Sequence, residues 1–261
     1  MLTQEDMNIL VPEKLRAIEQ TYHVEVLWAV ESGSRAWGFS SPDSDFDVRF
    51  LYKRPQEEYL KLNSSRDVIE LPIDDTWDVS GWDLDKTLKL LYKSNPTLYE
   101  WMASPICYWR TDFARRLRPL MEYYFSRERM IFHYLNTAVK HQKAYLLGET
   151  IRPKKLIYAL RPILACCWVL EKGITPPVLF SELVDAQLPG ELKPSLDRLL
   201  DLKRNGPEKM EIPHMEDMDD FLNESIHRFR EYLSQLPKEE PKSWDPMNQF
   251  FIEETKYTSH L

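Results

Sequence analysis

Between Asp45 and Tyr52 the chain alternates charged and apolar side chains, Asp45-Phe46-Asp47-Val48-Arg49-Phe50, a pattern that few folds tolerate. A period of two places Asp45, Asp47 and Arg49 on one face of a β-strand and Phe46, Val48 and Phe50 on the other. The apolar face calls for a covered sheet. The charged face needs a counterion, because two carboxylates on one strand face repel and a single arginine answers them only in part. A hard divalent cation with oxygen ligands answers them better.

What precedes this strand sharpens the reading. His23 to Val30 is apolar and β-branched enough for a buried strand, and it runs through Glu31-Ser32 into Gly33-Ser34, where the chain must turn sharply. A turn with free backbone N–H groups can hold phosphate oxygens. Turn residues return at Ser41-Pro42-Asp43-Ser44, just ahead of the carboxylate strand. Divalent ions held opposite a phosphate-cradling turn make the two-metal arrangement used for phosphoryl and nucleotidyl transfer.

The string Gly33-Ser34-Arg35-Ala36-Trp37-Gly38-Phe39, followed after Ser41 by Asp43-Ser44-Asp45-Phe46-Asp47-Val48-Arg49-Phe50, resembles the signature of the DNA polymerase β-like nucleotidyltransferase superfamily. It is closer still to a bacterial branch of predicted nucleotidyltransferases, one subset of which is named for its association with RNA ligase. The resemblance implies that Gly33 and Ser34 hold phosphates, that Arg35 adds charge, and that Asp45 and Asp47 hold two Mg²⁺ ions, with Mn²⁺ as a substitute. It also implies a third acidic residue on a neighbouring strand, completing the metal site and serving as general base. Asp78 is the choice, because it sits in the extended run Thr76 to Ser80, whereas Asp74 and Asp75 read as turn residues and Asp83 as the N-cap of a helix beginning at Leu84. The segment Asp78-Val79-Ser80-Gly81-Trp82-Asp83 also resembles related members locally. The implied activity moves a nucleoside monophosphate from a nucleoside triphosphate to a hydroxyl acceptor, which is an RNA end, a small molecule or a protein side chain, and releases pyrophosphate. The alternative is a nucleotide-binding sensor or interaction module on the same fold that catalyses nothing.

Composition narrows the setting. At 261 residues and 43% hydrophobic content the chain can bury a substantial core, and seven glycines against eighteen prolines suit a helix-rich chain with firm turns. A net charge of -8 argues against a broad, sequence-independent nucleic-acid surface. Cys107, Cys166 and Cys167 are odd in number and poor material for disulfides, which fits a reducing compartment. Met1-Leu-Thr-Gln-Glu-Asp6 lacks a basic start followed by an apolar run, no apolar run approaches the ~20 residues a bilayer requires, and the six histidines show no zinc-site spacing; a cytoplasmic protein with no membrane partner is expected.

The expected fold class is α+β: an N-terminal mixed β-sheet flanked by helices, then a C-terminal helical bundle. The sheet part takes a helix up to Tyr22 with Pro12 in its first turn, a short helix at 55–62, a strand at 66–71, helices from Leu84 to Tyr92 and around Leu98 to Met102, and a strand at 106–109. Trp101 there reads as core in preference to a nucleobase stack. From Asp112 the pattern is almost all helical, at 113–125, 127–147, 154–171, 181–186, 191–203 and 217–236. The division expected is 1–111 catalytic, 112–236 helical and nucleotide-binding, and 237–261 a tail of little periodicity. Lys154, Tyr158 and Arg161 share one helical face, with Lys155 beside it and Pro162 following; Lys140 and Lys143 flank His141 on the helix before. In the resembling enzymes a lysine and a tyrosine or serine of the helical domain contact the β and γ phosphates, which points to Lys140, Lys155, Tyr158 and Arg161.

Overall fold

The computed structural model describes residues 2–41, 44–63, 65–72, 77–207, 209–237 and 239–256; Asp43, Asp74 and Asp75, with the turns expected there, lie outside them. The chain forms two units, both discontinuous in sequence: Met1–Ala36, Asp45–Tyr124 and Pro241–Leu261 make the first, Trp37–Ser44 and Phe125–Glu240 the second.

The first unit opens with helix α1 (Gln4–Tyr22), which begins earlier than Pro12 implies. Thr3 and Asp6 form a capping box: the Thr3 hydroxyl accepts the Asp6 N–H, and the Asp6 carboxylate accepts the Thr3 N–H at 2.7 Å. Those bonds fix the start, so Pro12 lies inside the helix. Strands β1 (Glu25–Glu31), β2 (Phe46–Lys53), β3 (Val68–Glu70), β4 (Trp77–Asp83) and β5 (Cys107–Arg110) build one mixed sheet in the order β3-β4-β2-β1-β5. Only β2 and β4 are parallel, and their register sets Asp47 beside Asp78 and Phe50 beside Gly81. Met7, Val11, Leu15 and Ile18 of α1 join Phe46, Val48, Phe50 and Tyr52 in one buried cluster, which is the apolar face that period two assigns to β2. Phe50 lies across Gly81 so closely that a Cβ there would meet its Cε2 at 2.2 Å.

Short helices α2 (Gly33–Ala36) and α3 (Gln56–Tyr59) follow β1 and β2; α4 (Leu84–Tyr92) begins where expected, capped by Asp83. Helix α4 packs on β2 and β4, while α5 (Pro96–Met102) and α6 (Phe113–Tyr124) pack on β1. Trp101 is core: its ring lies 3.9 Å from that of Trp82, and its carbonyl accepts the Trp28 indole N–H. Because Phe113, Leu117 and Tyr124 are buried in this unit, α6 stays with the sheet and the division does not follow Thr111.

The second unit holds α7 (Arg127–Tyr145), a two-residue strand β6 (Thr150–Ile151), α8 (Pro153–Lys172), α9 (Phe180–Gln187), α10 (Lys193–Asn205), β7 (Ile212–Pro213) and α11 (Glu216–Gln235). Helix α8 is its centre, buried at Leu156, Ile157, Leu160, Ile163 and Leu164 and packed on α7, α9, α10 and α11. It passes Pro162 as one continuous helix. Cys166 is a buried packing residue there, and all three cysteines are free thiols.

Beyond 237 the chain is not irregular throughout. Helix α12 (Asp245–Lys256) belongs to the first unit and packs on α4. Phe251 meets the Tyr59 ring at 5.0 Å, and buried Glu254 receives two bonds from the Arg116 guanidinium, at 3.0 and 2.6 Å. No helix among the described residues is long and apolar enough to cross a membrane.

Candidate active site

Asp47 and Asp78 converge because β2 and β4 run parallel in register. Asp47 Oδ1 and Asp78 Oδ2 both accept from Nη2 of Arg49, at 2.9 and 2.6 Å, with the two carboxylates 28% and 32% exposed. Arg49 Nη1 donates to the carbonyls of Asp78 (2.7 Å) and Val48 (3.1 Å). The charged face of β2 therefore exists as the alternation requires, and a guanidinium stands at its centre.

The glycine turn comes to the same carboxylate. Gly33 opens α2 at φ +58°, and a Cβ on it would lie 2.0 Å from Asp47 Oδ2. Only glycine both adopts that backbone and leaves that room. The Ser32 N–H donates to the Asp47 carbonyl at 2.9 Å, tying the turn to β2. Ser34 is buried within it. Arg35 lies over the Phe46 ring at 3.7 Å and donates through Nε to the Asp45 carbonyl at 3.2 Å, so it staples the turn to the start of β2.

Sequence reasoning passes over one residue at this site. Glu31 is fully buried at the end of β1, yet its Oε1 accepts the Asp47 N–H at 2.8 Å and its Oε2 the Tyr108 hydroxyl at 2.6 Å. Burial pushes its carboxyl up to about 7, helped by the Asp47 charge and opposed by the Tyr108 and Asp47 N–H bonds and by Arg35. The available signal is a lone glutamate closing an apolar strand two residues before Gly33.

These residues fit a hard cation in one respect. Asp47 and Asp78 offer oxygen donors that already converge on one positive nitrogen, and Gly33 keeps Asp47 Oδ2 clear of a side chain. Asp45 is exposed and stands apart from the pair; among the described residues no three His, Cys, Asp or Glu side chains are gathered to hold a metal ion.

The second unit carries the basic residues of α7 and α8, and Trp37 and Phe39 place their rings among them. Tyr158 of α8 meets Trp37 (5.4 Å), Phe39 (6.1 Å) and His141 (6.0 Å), with Lys154 Nζ 5.9 Å from its ring. Lys155 Nζ lies 3.8 Å over Tyr145. Lys140 is exposed on α7, whereas Arg161 is 4% exposed, lying 4.2 Å over Trp37 and donating to the Val178 carbonyl. Arg161 is thus buried against Trp37 and Val178. Lys203 of α10, absent from the sequence reading, donates to the Phe39 carbonyl at 2.5 Å. Burial, then the charges of Lys154 and Arg204, push its ammonium down to about 8; burial, then Lys155 and Lys140, lower His141 too. Such mutual repulsion marks a place where an anion would be stabilised.

Comparison with known proteins gives three findings. The signature of the RNA repair pathway DNA polymerase beta family, RlaP, matches residues 7–253. A Bacillus subtilis (strain 168) protein, YcgL, is 42% identical over 248 residues, spanning 94% of this chain and 95% of its own. The crystal structure of a nucleotidyltransferase-like protein from Exiguobacterium sibiricum 255-15 is similar at a TM-score of 0.31 and 14% identity, over 84% of this chain and 73% of that one.

Proposed function

We propose that this chain, which belongs to the RNA repair pathway DNA polymerase beta family, transfers a nucleoside monophosphate from a nucleoside triphosphate to the hydroxyl of an RNA end. Membership makes it nucleotidyltransferase-like; the donor, the acceptor and the metal are this proposal's own. The observation that carries it is the convergence of Asp47 and Asp78 on one cation beside a glycine that leaves Asp47 its space.

On this reading Asp47 and Asp78 would hold Mg²⁺, with Asp45 joining them from its exposed place ahead of β2. Bound there, the ion would polarise the α-phosphate and neutralise charge on the leaving group. Asp78, beside Asp47 on the next strand, takes the proton of the acceptor hydroxyl as its oxygen attacks the α-phosphorus. The bond between that phosphorus and the α–β bridging oxygen breaks, and pyrophosphate leaves. Gly33 and Ser34 hold phosphate oxygens through backbone N–H groups. Glu31 fixes the Asp47 backbone from below, and Ser32 fixes it from the turn. Within the second unit, the cluster of Lys154, Lys155, Lys203 and Tyr158 would bind RNA phosphates. An RNA end is preferred over a small alcohol or a protein hydroxyl because the family is described by an RNA repair pathway.

The test incubates each α-labelled ribonucleoside triphosphate with Mg²⁺ and RNA bearing a free 3′-hydroxyl, using wild type and Asp47→Asn. Label on RNA from wild type alone supports the reading. Label on the protein itself or on a small alcohol redirects the acceptor, and Mg²⁺-dependent nucleotide binding without transfer to any of them supports the sensor alternative.

A further inference from the structure

We infer that Arg49 is a resident counter-cation, which Asp47 and Asp78 keep in place of a metal ion and release only to an ion that arrives with phosphate oxygens. The inference rests on the metal reading of these carboxylates above. Its basis is how the two ends of the guanidinium are held. Nη1 is bound by the carbonyls of Asp78 and Val48, neutral backbone groups that lose nothing when the carboxylates change partner. Nη2 is bound by Asp47 Oδ1 and Asp78 Oδ2, the oxygens a divalent ion would need. One end is a tether and the other is in competition. A lysine cannot divide its contacts in this way, whereas a planar fork can.

Two consequences follow from electrostatics. Without metal, the pair stays compensated, so the site does not accumulate repulsion between carboxylates on adjacent strands. A free divalent ion that bridges the carboxylates through Asp47 Oδ1 and Asp78 Oδ2 must first displace Nη2 from both, and its apparent affinity falls by the cost of that exchange. An ion entering with a triphosphate brings further oxygen ligands, and the phosphates offer the released Nη2 a new anionic partner. Metal and nucleotide therefore promote each other's binding, reciprocally, through one side chain. A purely structural Arg49 would behave in the opposite way, since removing it would splay the carboxylates and weaken any metal site.

The experiment titrates Mn²⁺ into the full chain by electron paramagnetic resonance, with and without a non-hydrolysable nucleoside triphosphate analogue. Wild type, Arg49→Met and Arg49→Lys are compared, each checked for folding by circular dichroism. Arg49→Met is expected to bind Mn²⁺ alone about tenfold or more tightly than wild type, with the enhancement by the analogue reduced to match; Arg49→Lys falls between them. Equal or weaker Mn²⁺ binding by folded Arg49→Met, with analogue-dependent binding intact in wild type, overturns the inference and leaves the metal site standing. If Arg49→Met fails to fold, Arg49→Lys decides: tighter Mn²⁺ binding than wild type upholds the inference, and equal or weaker binding overturns it. Absence of Mn²⁺ binding in every protein, even with the analogue, removes the metal reading and the inference together.

Discussion

Replacing Gly33 with alanine separates what the turn contributes to stability from what it contributes to the site. The backbone at Gly33 has φ +58°, and holding a non-glycine residue there costs about 1–2 kcal/mol. For a chain of this size each kcal/mol lowers Tm by about 2–4 °C, so a fall of about 2–8 °C is expected. The second effect is local. The new Cβ would lie 2.0 Å from Asp47 Oδ2, so the carboxylate must swing away and lose its bond to Arg49 Nη2. A displacement of about 1 Å in a group that orients reactants costs ~10²-fold in rate. Gly33→Ala should thus keep most of its stability while losing about 100-fold in label transfer and most Mg²⁺-dependent nucleotide binding. Gly81→Ala is the counterpart, because its Cβ would strike the Phe50 ring in the core without approaching Asp47. Overpacking there costs about 1–3 kcal/mol, with nucleotide binding by the folded protein largely kept. Thermal melts and titration calorimetry on both variants decide the matter. Transfer by Gly33→Ala within threefold of wild type, or equal damage to nucleotide binding from Gly81→Ala, would refute the proposed dependence of Asp47 on the turn.

Lys203→Met should raise the RNA KM about tenfold with little change in kcat, as expected from losing a charged hydrogen-bond donor. Because burial, and after it the charges of Lys154 and Arg204, hold Lys203 near 8, wild-type RNA affinity should also decline above that pH, and calorimetry across pH 7 to 9.5 should find a smaller decline in Lys203→Arg. Arg161→Met should destabilise the second unit by at least about 2 kcal/mol in denaturant melts, through loss of the Trp37 stack and the Val178 bond, while KM stays near wild type. His214 donates from both ring nitrogens, to Asp219 (2.6 Å) and to the Gly148 carbonyl (2.8 Å), and these bonds raise its pKa above the ordinary histidine value. Its contribution is complete below about pH 6.5 and is lost as pH rises through the raised folded value. Solvent screening keeps it under about 1 kcal/mol, so the stability gap between wild type and His214→Ala should narrow as pH rises above about 6.5.

The elements that could be read from sequence are those whose signal is local. Alternation along Asp45 to Phe50 gives β2 and its two faces, and Asp83 ahead of an amphipathic run gives the start of α4. Where a long-range partner decides, sequence is silent. Helix α12 has an indistinct apolar stripe because one of its buried side chains is a glutamate, which is stable there only because Arg116, remote in the chain, pairs with it. Glu31 is concealed in the same way: a carboxyl at a strand end looks solvated until Tyr108 and the Asp47 N–H are found beneath it. Lys203 comes beside Lys154 and Tyr158 because α10 packs on α8 and because its ammonium meets the Phe39 carbonyl, contacts remote in the chain.

The same distinction explains why net charge is a poor guide to the acceptor. A formal charge of -8 argues against a broad phosphate-binding surface, since such a surface requires many lysines and arginines on one face. An RNA end asks for much less, a few cations where its terminal phosphates lie. In the second unit burial, then the charges of Lys154 and Arg204, depress the pKa of Lys203, and Lys155 and Lys140 act on His141 after its burial, so local positive potential exists inside an acidic chain. Transfer to RNA ends should therefore fall only gently with salt, with a slope of about two or three ion equivalents in place of the six to ten of a broad duplex binder. Measuring KM for the RNA from 50 to 200 mM KCl tests this, and a steep slope would mean that the acceptor is gripped by a surface larger than these lysines provide.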